Sequence, residues 1–298
     1  MIYRWQSLVP ALAPALALAL AACERQSARK LPGRDDFGDT VRIGAAVPNR
    51  IVSLNPATTE ILFTLGAGGR LVGRTKYDLW PDSARFIRAL GDGIRPNVEA
   101  VLGTHPDLVI LYASGDNRAA AARMRSAGVN TLALKVDHIS DFRRSVELLG
   151  AILRDSARAR VVIDSVGATL DRVRSATAAL ARPTVFWHIW DAPIITIGAG
   201  SFMNELVEIA GARNVYADIP GPSATISLED VARRNPDFIL ADPIGAAQIE
   251  SDPRWRIVRA VRDRNVLVVD TLLVARPSLR LGEAAVSLAN LLHPGTLR

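Results

Sequence analysis

The chain contains an internal repeat, and this feature limits its possible folds more than any other. Asn97 to Leu111 aligns without a gap on Ser227 to Ala241, and Glu, Val, Pro and Asp recur in register in both copies. At a second place, Glu60 to Ala67 resembles Glu205 to Ala212. Because duplicated segments fold into duplicated units, the repeat predicts two similar lobes within one chain.

Each copy of the longer repeat has the pattern of a helix followed by a buried strand. The copies open on Asn97 and Ser227, which are residue types that cap helix starts, and a proline later ends each helical part. Apolar runs follow at Leu108 to Tyr112 and Phe238 to Ala241. Continuous apolar runs are typical of parallel strands covered on both faces. We therefore predict α/β lobes, each with a mostly parallel sheet flanked by helices.

One long amphipathic helix is predicted between the two copies. Residues 107–182 contain no proline, and Ala157 to Ala181 carries apolar residues at helical spacings with arginine and aspartate on the other faces. The apolar stripe consists of Val162, Val166, Leu170, Val173 and Leu180. The predicted units are accordingly a first lobe at 49–155, a connecting helix at 156–182 and a second lobe at 183–298.

Residues 1–22 have the pattern of a lipoprotein signal peptide. An apolar run extends from Leu8 to Leu20, and Leu20, Ala21 and Ala22 precede Cys23, the only cysteine. This run of about 13 residues is shorter than the roughly 20 that a membrane-spanning helix needs, which argues against the alternative of a membrane anchor. A single cysteine also excludes an intramolecular disulfide and a cysteine-based metal site.

Cys23 is predicted to be the site of lipid attachment. The small residues before it resemble the cleavage site of bacterial lipoproteins, in which the cysteine becomes the lipidated first residue. Residues 23–48 are charged, contain glycine and lack periodicity, so we predict a flexible tether of roughly 25 to 30 Å by random-coil scaling. The expected location is the exported face of a membrane, periplasmic or at the cell surface, with the protein held there by a lipid.

The basic composition does not point to nucleic acid. Lysine and arginine total 36 against 30 acidic residues, a formal charge of +6, but the arginines are scattered along the chain instead of clustered. We therefore expect no nucleic-acid partner, and the charge acts at most as a long-range steering effect.

Motifs of common enzyme classes and of metal sites are missing from the sequence. It contains no Gly-x-Ser-x-Gly, no phosphate-binding Gly-x-x-x-x-Gly-Lys and no Gly-x-Gly-x-x-Gly. The histidines, His105, His138, His188 and His293, lack metal-ligand spacing. A receptor for bare zinc or manganese would need a His/Asp/Glu set from both lobes. We expect no catalytic residue, no metal site and no resident cofactor.

Aromatic residues follow predicted strands in both lobes. Ligands of open α/β sheets lie at the carboxyl ends of the strands, where Tyr112 and Trp190 each end a strand and Tyr77 with Trp80 follows another. Alternation along a strand places Trp187 and Trp190 on opposite sheet faces, so at least one of them is expected in the core. The predicted aromatic contacts to a ligand are Tyr77, Trp80, Tyr112, Trp187 and Trp190.

Several short segments together resemble one family of binding proteins. They are Arg50 to Leu62 (RIVSLNPATTEIL), Pro96 to Glu99 (PNVE), Pro106 to Ile110 (PDLVI) and Arg276 to Arg280 (RPSLR). The resemblance covers Arg50 to about Leu292 and is to the substrate-binding proteins, periplasmic or lipid-anchored, of ABC importers for vitamin B12, ferric siderophores and haem. It implies two lobes on a rigid connecting helix that permits only a small opening.

The resemblance implies further site residues. Arg276 matches a family position that often faces the cleft, where a cation could meet a phosphate or carboxylate. Arg95 lies in the cleft loop of the first lobe, and near Gly93 the vitamin B12 receptors have an aromatic residue that this chain lacks. Glu99 and Glu229 match the glutamates that dock on arginines of the importer's two membrane subunits.

The sequence thus predicts a monomeric, membrane-tethered receptor that delivers a corrinoid, haem or ferric siderophore to an ABC importer. Its expected partners are the small-molecule chelate, the permease dimer with its ATPase, and the membrane through the lipid. Two alternatives remain at this stage: an enzyme or chelatase on a related two-lobed fold, and a lipoprotein sensor with a degenerate cleft.

Overall fold

The structure, a computed structural model, describes residues 33–41, 44 and 46–297. The first lobe is built on a four-stranded parallel sheet of order β2-β1-β3-β4. Its elements in chain order are β1 (Ile51–Leu54), α1 (Pro56–Thr64), β2 (Leu71–Gly73), α2 (Val98–Leu102), β3 (Leu108–Tyr112), α3 (Gly115–Ser126), β4 (Asn130–Leu134) and α4 (Ile139–Ile152), with short 3₁₀ helices at Gly68–Arg70 and Asp82–Phe86.

The connecting helix, α5, spans Ser156–Thr177. It is therefore shorter at its end than predicted, and Leu180 lies beyond it. Val166, Leu170 and Val173 of the predicted stripe are buried. The same apolar face also includes Ala159 and Ile163, which the prediction omitted, and Val162 is only partly buried. The face packs on α4 of the first lobe.

The second lobe repeats the parallel arrangement, with β7-β5-β9-β10 in the places of β2-β1-β3-β4. Beyond its parallel part, β5 pairs antiparallel with β6, which pairs with β8. The elements are β5 (Thr184–Asp191), β6 (Ile194–Ile197), α6 (Phe202–Ile209), β7 (Arg213–Asn214), β8 (Ser223–Thr225), α7 (Leu228–Arg234), β9 (Phe238–Ala241), α8 (Pro243–Ser251), a 3₁₀ helix (Pro253–Ile257), α9 (Arg259–Arg262), β10 (Val266–Val268), α10 (Thr271–Val274) and α11 (Leu281–Leu292).

A continuous apolar core joins the two lobes through the connecting helix. Leu149 of α4, Leu170 of α5, Leu206 of α6 and Leu288 of α11 all belong to one buried cluster. Packing of this kind resists shear because each side chain fills a space that its neighbours define. The predicted fold class of two α/β lobes on one connecting helix is therefore confirmed.

Helix caps follow the repeat in α2 and α7. The Asn97 and Ser227 side chains accept hydrogen bonds from the backbone amides of Ala100 and Asp230 at 2.9 and 3.2 Å, as expected of N-caps. In α1 the cap is Asn55, because its side chain accepts the amide of Ala57 and Pro56 fits the first helical position.

Residues 33–41 pack against the first lobe, so the predicted flexible tether at 23–48 is wrong for this part. Asp36 pairs with both terminal nitrogens of Arg144, at 2.6 and 2.7 Å, and its backbone amide donates to the carbonyl of Ala133 in the edge strand β4. Asp35 and Asp39 pair with Arg125. These ion pairs join residues far apart in sequence, and therefore no local pattern could reveal them.

We predict that Asp36→Asn lowers the free energy of unfolding at pH 7 by about 1 to 3 kcal/mol, because it removes charge-assisted hydrogen bonds. Burial raises the pKa of Asp36, but the bonds from Arg144 and the Lys135 amide outweigh burial and hold the pKa below its ordinary value of 3.8. A carboxyl group whose pKa is lower in the folded than in the unfolded protein stabilises the fold at pH values above the unfolded pKa. This stabilisation is lost as the pH falls through the folded pKa.

Urea unfolding at several pH values checks this prediction. The difference between wild type and Asp36→Asn should stay constant near pH 7 and shrink as the pH falls below the unfolded value of 3.8 towards the folded pKa. Asp164→Asn, a change on the exposed face of α5, is the matched control and should show no such trend. A difference that stayed constant with pH would contradict the ion-pair explanation.

Candidate ligand-binding cleft

A cavity of about 340 Å³ lies between the two lobes, at the carboxyl ends of the first lobe's strands. Segments that follow β1, β2, β3 and β4 all line it, as the general rule for open α/β sheets requires. The second lobe closes the other side with the start of α6 and the loop before α11. The lining residues are Leu54, Asn55, Pro56, Ala57, Tyr77, Asp92, Gly93, Ile94, Tyr112, Val136, Phe202, Ala275, Arg276 and Pro277.

A tight loop at 92–94 forms one wall of the cavity. Gly93 has a φ of +87°, and a Cβ there would lie 2.6 Å from the carbonyl oxygen of Leu54, so a side chain does not fit. The buried Asn117 amide donates to the carbonyl of Gly93 at 2.9 Å. Hydrogen bonds from the amides of Arg95 and Ile94 hold the pKa of Asp92 below its usual value. The loop is thus fixed by hydrogen bonds between its backbone and two side chains, those of Asn117 and of its own Asp92.

Tyr77 is positioned by a buried polar cluster beneath it. The Asp78 carboxylate accepts hydrogen bonds from the hydroxyls of Thr59 and Thr75, and the Thr75 hydroxyl accepts the amide of Tyr77 at 3.1 Å. Burial raises the pKa of Asp78 despite these bonds. Tyr77 is 51% exposed, and the Lys76 ammonium lies 4.9 Å from its ring centroid, so the cluster holds a half-exposed aromatic side chain at the cleft.

Tyr112 links the cavity to the junction between the lobes. Its hydroxyl donates to the carboxylate of Asp137 at 2.7 Å, and burial together with that carboxylate raises the pKa of Tyr112. The carbonyl of Asp137 in turn accepts the amide of Phe202, in the second lobe, at 2.7 Å. The Tyr112 side chain is therefore held in place by its hydrogen bond, and its hydroxyl stays protonated at neutral pH.

Arg276 crosses from the second lobe to the first. Its guanidinium lies 3.3 Å from the carboxylate of Glu60 and 3.4 Å from the carbonyl of Tyr77. Glu60 is 1% exposed, and burial raises its pKa although Ser278, Arg276 and Arg280 act in the opposite direction. The predicted cleft cation is thus present, but it is already partnered within the protein.

The other predicted ligand contacts lie outside this cavity. Trp187 is a core residue of 2% exposure, which excludes it from contact with a ligand here. Trp190 is 61% exposed at the end of β5, and its indole donates to the carbonyl of Ala192. Trp80 lies beneath the Arg280 guanidinium, a contact between the lobes. Arg95 is exposed, and Ile94 beside it lines the cavity in its place.

Several lining residues were missed from the sequence, among them Asn55, Ile94, Val136 and Phe202. Phe202 could have been found from the repeat, because it stands three positions before Glu205 as Ala57 stands before Glu60. Both residues lie in the first turn of the helix after the first strand of their lobe. The repeat therefore contained the signal for Phe202, whereas the local excess of aromatic residues pointed to Trp187, which is in the core.

The repeat-equivalent acids Glu99 and Glu229 are exposed at the starts of α2 and α7. Glu99 pairs with Arg123 at 2.6 Å. Bonds from its own backbone amide and from Arg123 hold the pKa of Glu99 below its usual value, and its own amide with Ser227 has the same effect on Glu229. Both carboxylates are therefore charged and accessible on the outer surface.

His105 has a structural explanation. It adopts a φ of 47° in the turn between α2 and β3, and the repeat-equivalent Asn235 adopts 49°. Asparagine and histidine are among the residues that tolerate this left-handed conformation.

Two kinds of feature are missing from the described ranges 33–41, 44 and 46–297. No three or more potential metal ligands lie together there, and none of the helices has the length and apolar character of a membrane span.

A larger open groove of about 590 Å³ runs between α5 and α6. It is lined by helix sides, including Leu170 and Ile209, and by the charged residues Arg174, Arg182, Glu205 and Glu208. No strand end contributes to it, and opposite charges on its rim are paired with each other, as in Arg182 and Glu208. The cleft between the lobes is therefore the better candidate for the ligand site.

Two α/β lobes on one helix, with a cavity at the strand ends between them, define a protein that binds a small molecule. The profile of the periplasmic binding protein family matches residues 51–271. The chain belongs to this family.

Similar proteins carry related descriptions. An uncharacterized ABC transporter substrate-binding lipoprotein of Bacillus subtilis is 30% identical over 84% of this chain and 82% of its own length. A cobalamin-binding protein of Halobacterium salinarum is 28% identical over 84% of this chain and 71% of its own length. The structure of a periplasmic heme binding protein from Pseudomonas aeruginosa has a TM-score of 0.75 at 23% identity, covering 83% and 94% of the two chains. All three descriptions are of binding proteins, the first of them for an ABC transporter, and none is of an enzyme.

Proposed function

We propose that this chain is a membrane-tethered substrate-binding protein that presents a corrinoid or an iron chelate to an ABC importer. The observation that carries the proposal is the cavity at the strand ends, in which Tyr77 and Tyr112 of one lobe oppose Phe202 and Arg276 of the other. Aromatic faces between two rigid walls suit a flat macrocycle or an aryl chelate. The relatives' descriptions as ABC transporter and cobalamin-binding proteins support the same proposal.

Charge in the cleft favours a corrinoid over haem. Among the described residues that line the cavity, Arg276 is the only cation, and Glu60 already binds it. Asp92 adds a negative charge. Haem carries two carboxylates, whereas the rim of a corrinoid carries neutral amides, and a corrinoid without the nucleotide loop carries no phosphate. Burying unpaired carboxylates is costly, so the neutral ligand suits this cavity better.

Tryptophan fluorescence titration tests the function. Trp80 contacts Arg280 of the other lobe and Trp190 is exposed at the end of β5, so a chromophore bound between the lobes should quench their emission by energy transfer. We expect dicyanocobinamide, a corrinoid without a phosphate, to quench the emission at micromolar concentration and haemin to do so less strongly. Ferrichrome serves as the siderophore probe. If none of the three changes the emission, or the melting temperature, the proposed function is wrong.

The tether is the second part of the proposal, and it rests on Cys23, which lies outside the described residues. Cys23→Ala should leave the folding and ligand affinity of the protein unchanged but release it from the membrane fraction. The reason is that the cysteine precedes every residue that the structure describes. Fractionation with detection of lipid by mass spectrometry is the measurement. A wild-type protein that is unlipidated and begins upstream of residue 23 would contradict lipid attachment.

A further inference from the structure

The two glutamates that open the shorter repeat both reach across to the other lobe. Glu60, in α1 of the first lobe, binds Arg276 of the second at 3.3 Å. Glu205, in α6 of the second lobe, binds the His138 ring of the first at 2.8 Å and also accepts the amide of Ile139. The repeat that produced two lobes has therefore also produced two contacts between them.

The partners of these glutamates occupy equivalent loops. His138 directly precedes α4, the last helix of the first lobe, and Arg276 lies in the loop before α11, the last helix of the second. Each contact thus joins the first helix of one lobe to the loop that precedes the last helix of the other. The agreement of sequence repeat and contact geometry shows that the two contacts correspond to each other.

The two contacts differ in burial and in their relation to the cavity. The Glu60 side chain is 1% exposed and that of Arg276 is 16% exposed, and Arg276 lines the cavity. The Glu205 and His138 side chains are 34% and 46% exposed, and neither lines it. A change at Glu60 therefore alters the charge available to a ligand, whereas the equivalent change at Glu205 does not.

We propose that Glu60 is a specificity-determining residue, which holds the Arg276 guanidinium and so disfavours ligands that carry carboxylates or phosphates. An anionic ligand must take Arg276 from Glu60 in order to pair with it. Glu60 would then remain buried without its directly paired guanidinium, with only Ser278 and Arg280 left to favour its charge. Leaving a buried charge uncompensated is strongly unfavourable. A neutral ligand leaves the Glu60–Arg276 pair intact.

The choice of ligands in this proposal rests on the proposed function, in which the cleft binds a macrocycle or an iron chelate. Discrimination of this kind acts against the wrong ligand and does not require added contacts to the right one. It predicts that a single residue outside direct contact with the ligand changes the preference between two macrocycles of similar size. Glu205 provides the matched control, because it is the same residue type at the equivalent position.

The experiment compares Glu60→Gln with Glu205→Gln, using dicyanocobinamide as the neutral probe and haemin as the dicarboxylate probe. In Glu60→Gln the ratio of haemin to dicyanocobinamide affinity should rise about tenfold or more, as expected for a charge-assisted bond made available to the ligand. In Glu205→Gln the ratio should stay at the wild-type value. The double variant Glu60→Gln/Arg276→Gln should lose the gain. An unchanged ratio in Glu60→Gln overturns the proposal.

A second readout does not depend on the identity of the ligand. By calorimetry, inorganic pyrophosphate should bind Glu60→Gln more tightly than it binds wild type or Glu60→Gln/Arg276→Gln, and it should not distinguish wild type from Glu205→Gln. If neither macrocycle binds wild type, the proposed function fails while this arm still tests Glu60. Circular dichroism verifies folding, and Glu60→Met, which also frees Arg276, replaces Glu60→Gln should that variant not fold. Equal pyrophosphate affinity of the Arg276-containing and Arg276-lacking variants overturns the proposal.

Discussion

Replacement of both Glu99 and Glu229 by lysine is expected to abolish importer-dependent uptake while ligand titration stays as in wild type. The two carboxylates are exposed, charged and equivalent by the repeat, with one on each lobe. Two related acids suit a partner that presents two related basic pockets. Charge reversal would place like charges in contact on both sides, which opposes docking and suppresses association.

The same acids also favour their helices, because a negative charge in the first turn interacts well with the helix dipole. That role alone predicts only a small decrease in melting temperature and normal uptake. Asp116→Lys with Glu250→Lys is the matched control, since it reverses one exposed acid per lobe. Uptake by cells that express each variant is the measurement. Transport at the wild-type rate in the Glu99/Glu229 double variant would leave only the helix-start role.

The sequence was sufficient for the fold because its signals were local and repeated. Helix caps at Asn97 and Ser227, proline stops and the periodic stripe of α5 depend on neighbours along the chain. The repeat then required that two such units share one topology. What escaped prediction depends on long-range pairing, as in Asp36 with Arg144, which hold residues 33–41 against the edge strand.

The candidate site was predictable only in part, for a related reason. Alternation predicted that Trp187 and Trp190 face opposite sides of β5. It could not show that both faces are covered at Trp187 and His188, or that Trp190 at the strand end is exposed. Likewise, the sequence indicated a cation at Arg276 without indicating that Glu60 binds it. Strand ends therefore locate a cleft, whereas its available charge depends on contacts between residues far apart in the chain.

Tyr77→Ala is expected to weaken ligand binding by about 1 to 3 kcal/mol, the range for a truncated aromatic anchor. The Tyr77 ring is half exposed on the cleft side, and its backbone is held by Thr75 and Asp78, so little entropy is lost when a ligand packs on it. Trp190 was also predicted from the sequence to contact the ligand, but it lies outside the cavity. We therefore expect Trp190→Ala to weaken binding less than Tyr77→Ala does, because Trp190 would contact only a ligand that extends beyond the cavity.

Two further variants separate binding from folding in the same titration. Phe86→Ala removes an aromatic residue of the first lobe that is 92% exposed and does not line the cavity, so affinity should not change. Trp187→Ala should instead destabilise the fold by about 3 to 5 kcal/mol, as expected when a large buried side chain is truncated. If Tyr77→Ala keeps full affinity with an intact circular dichroism spectrum, the ligand does not use the aromatic wall of the first lobe. The cavity at the strand ends would then not be the binding site.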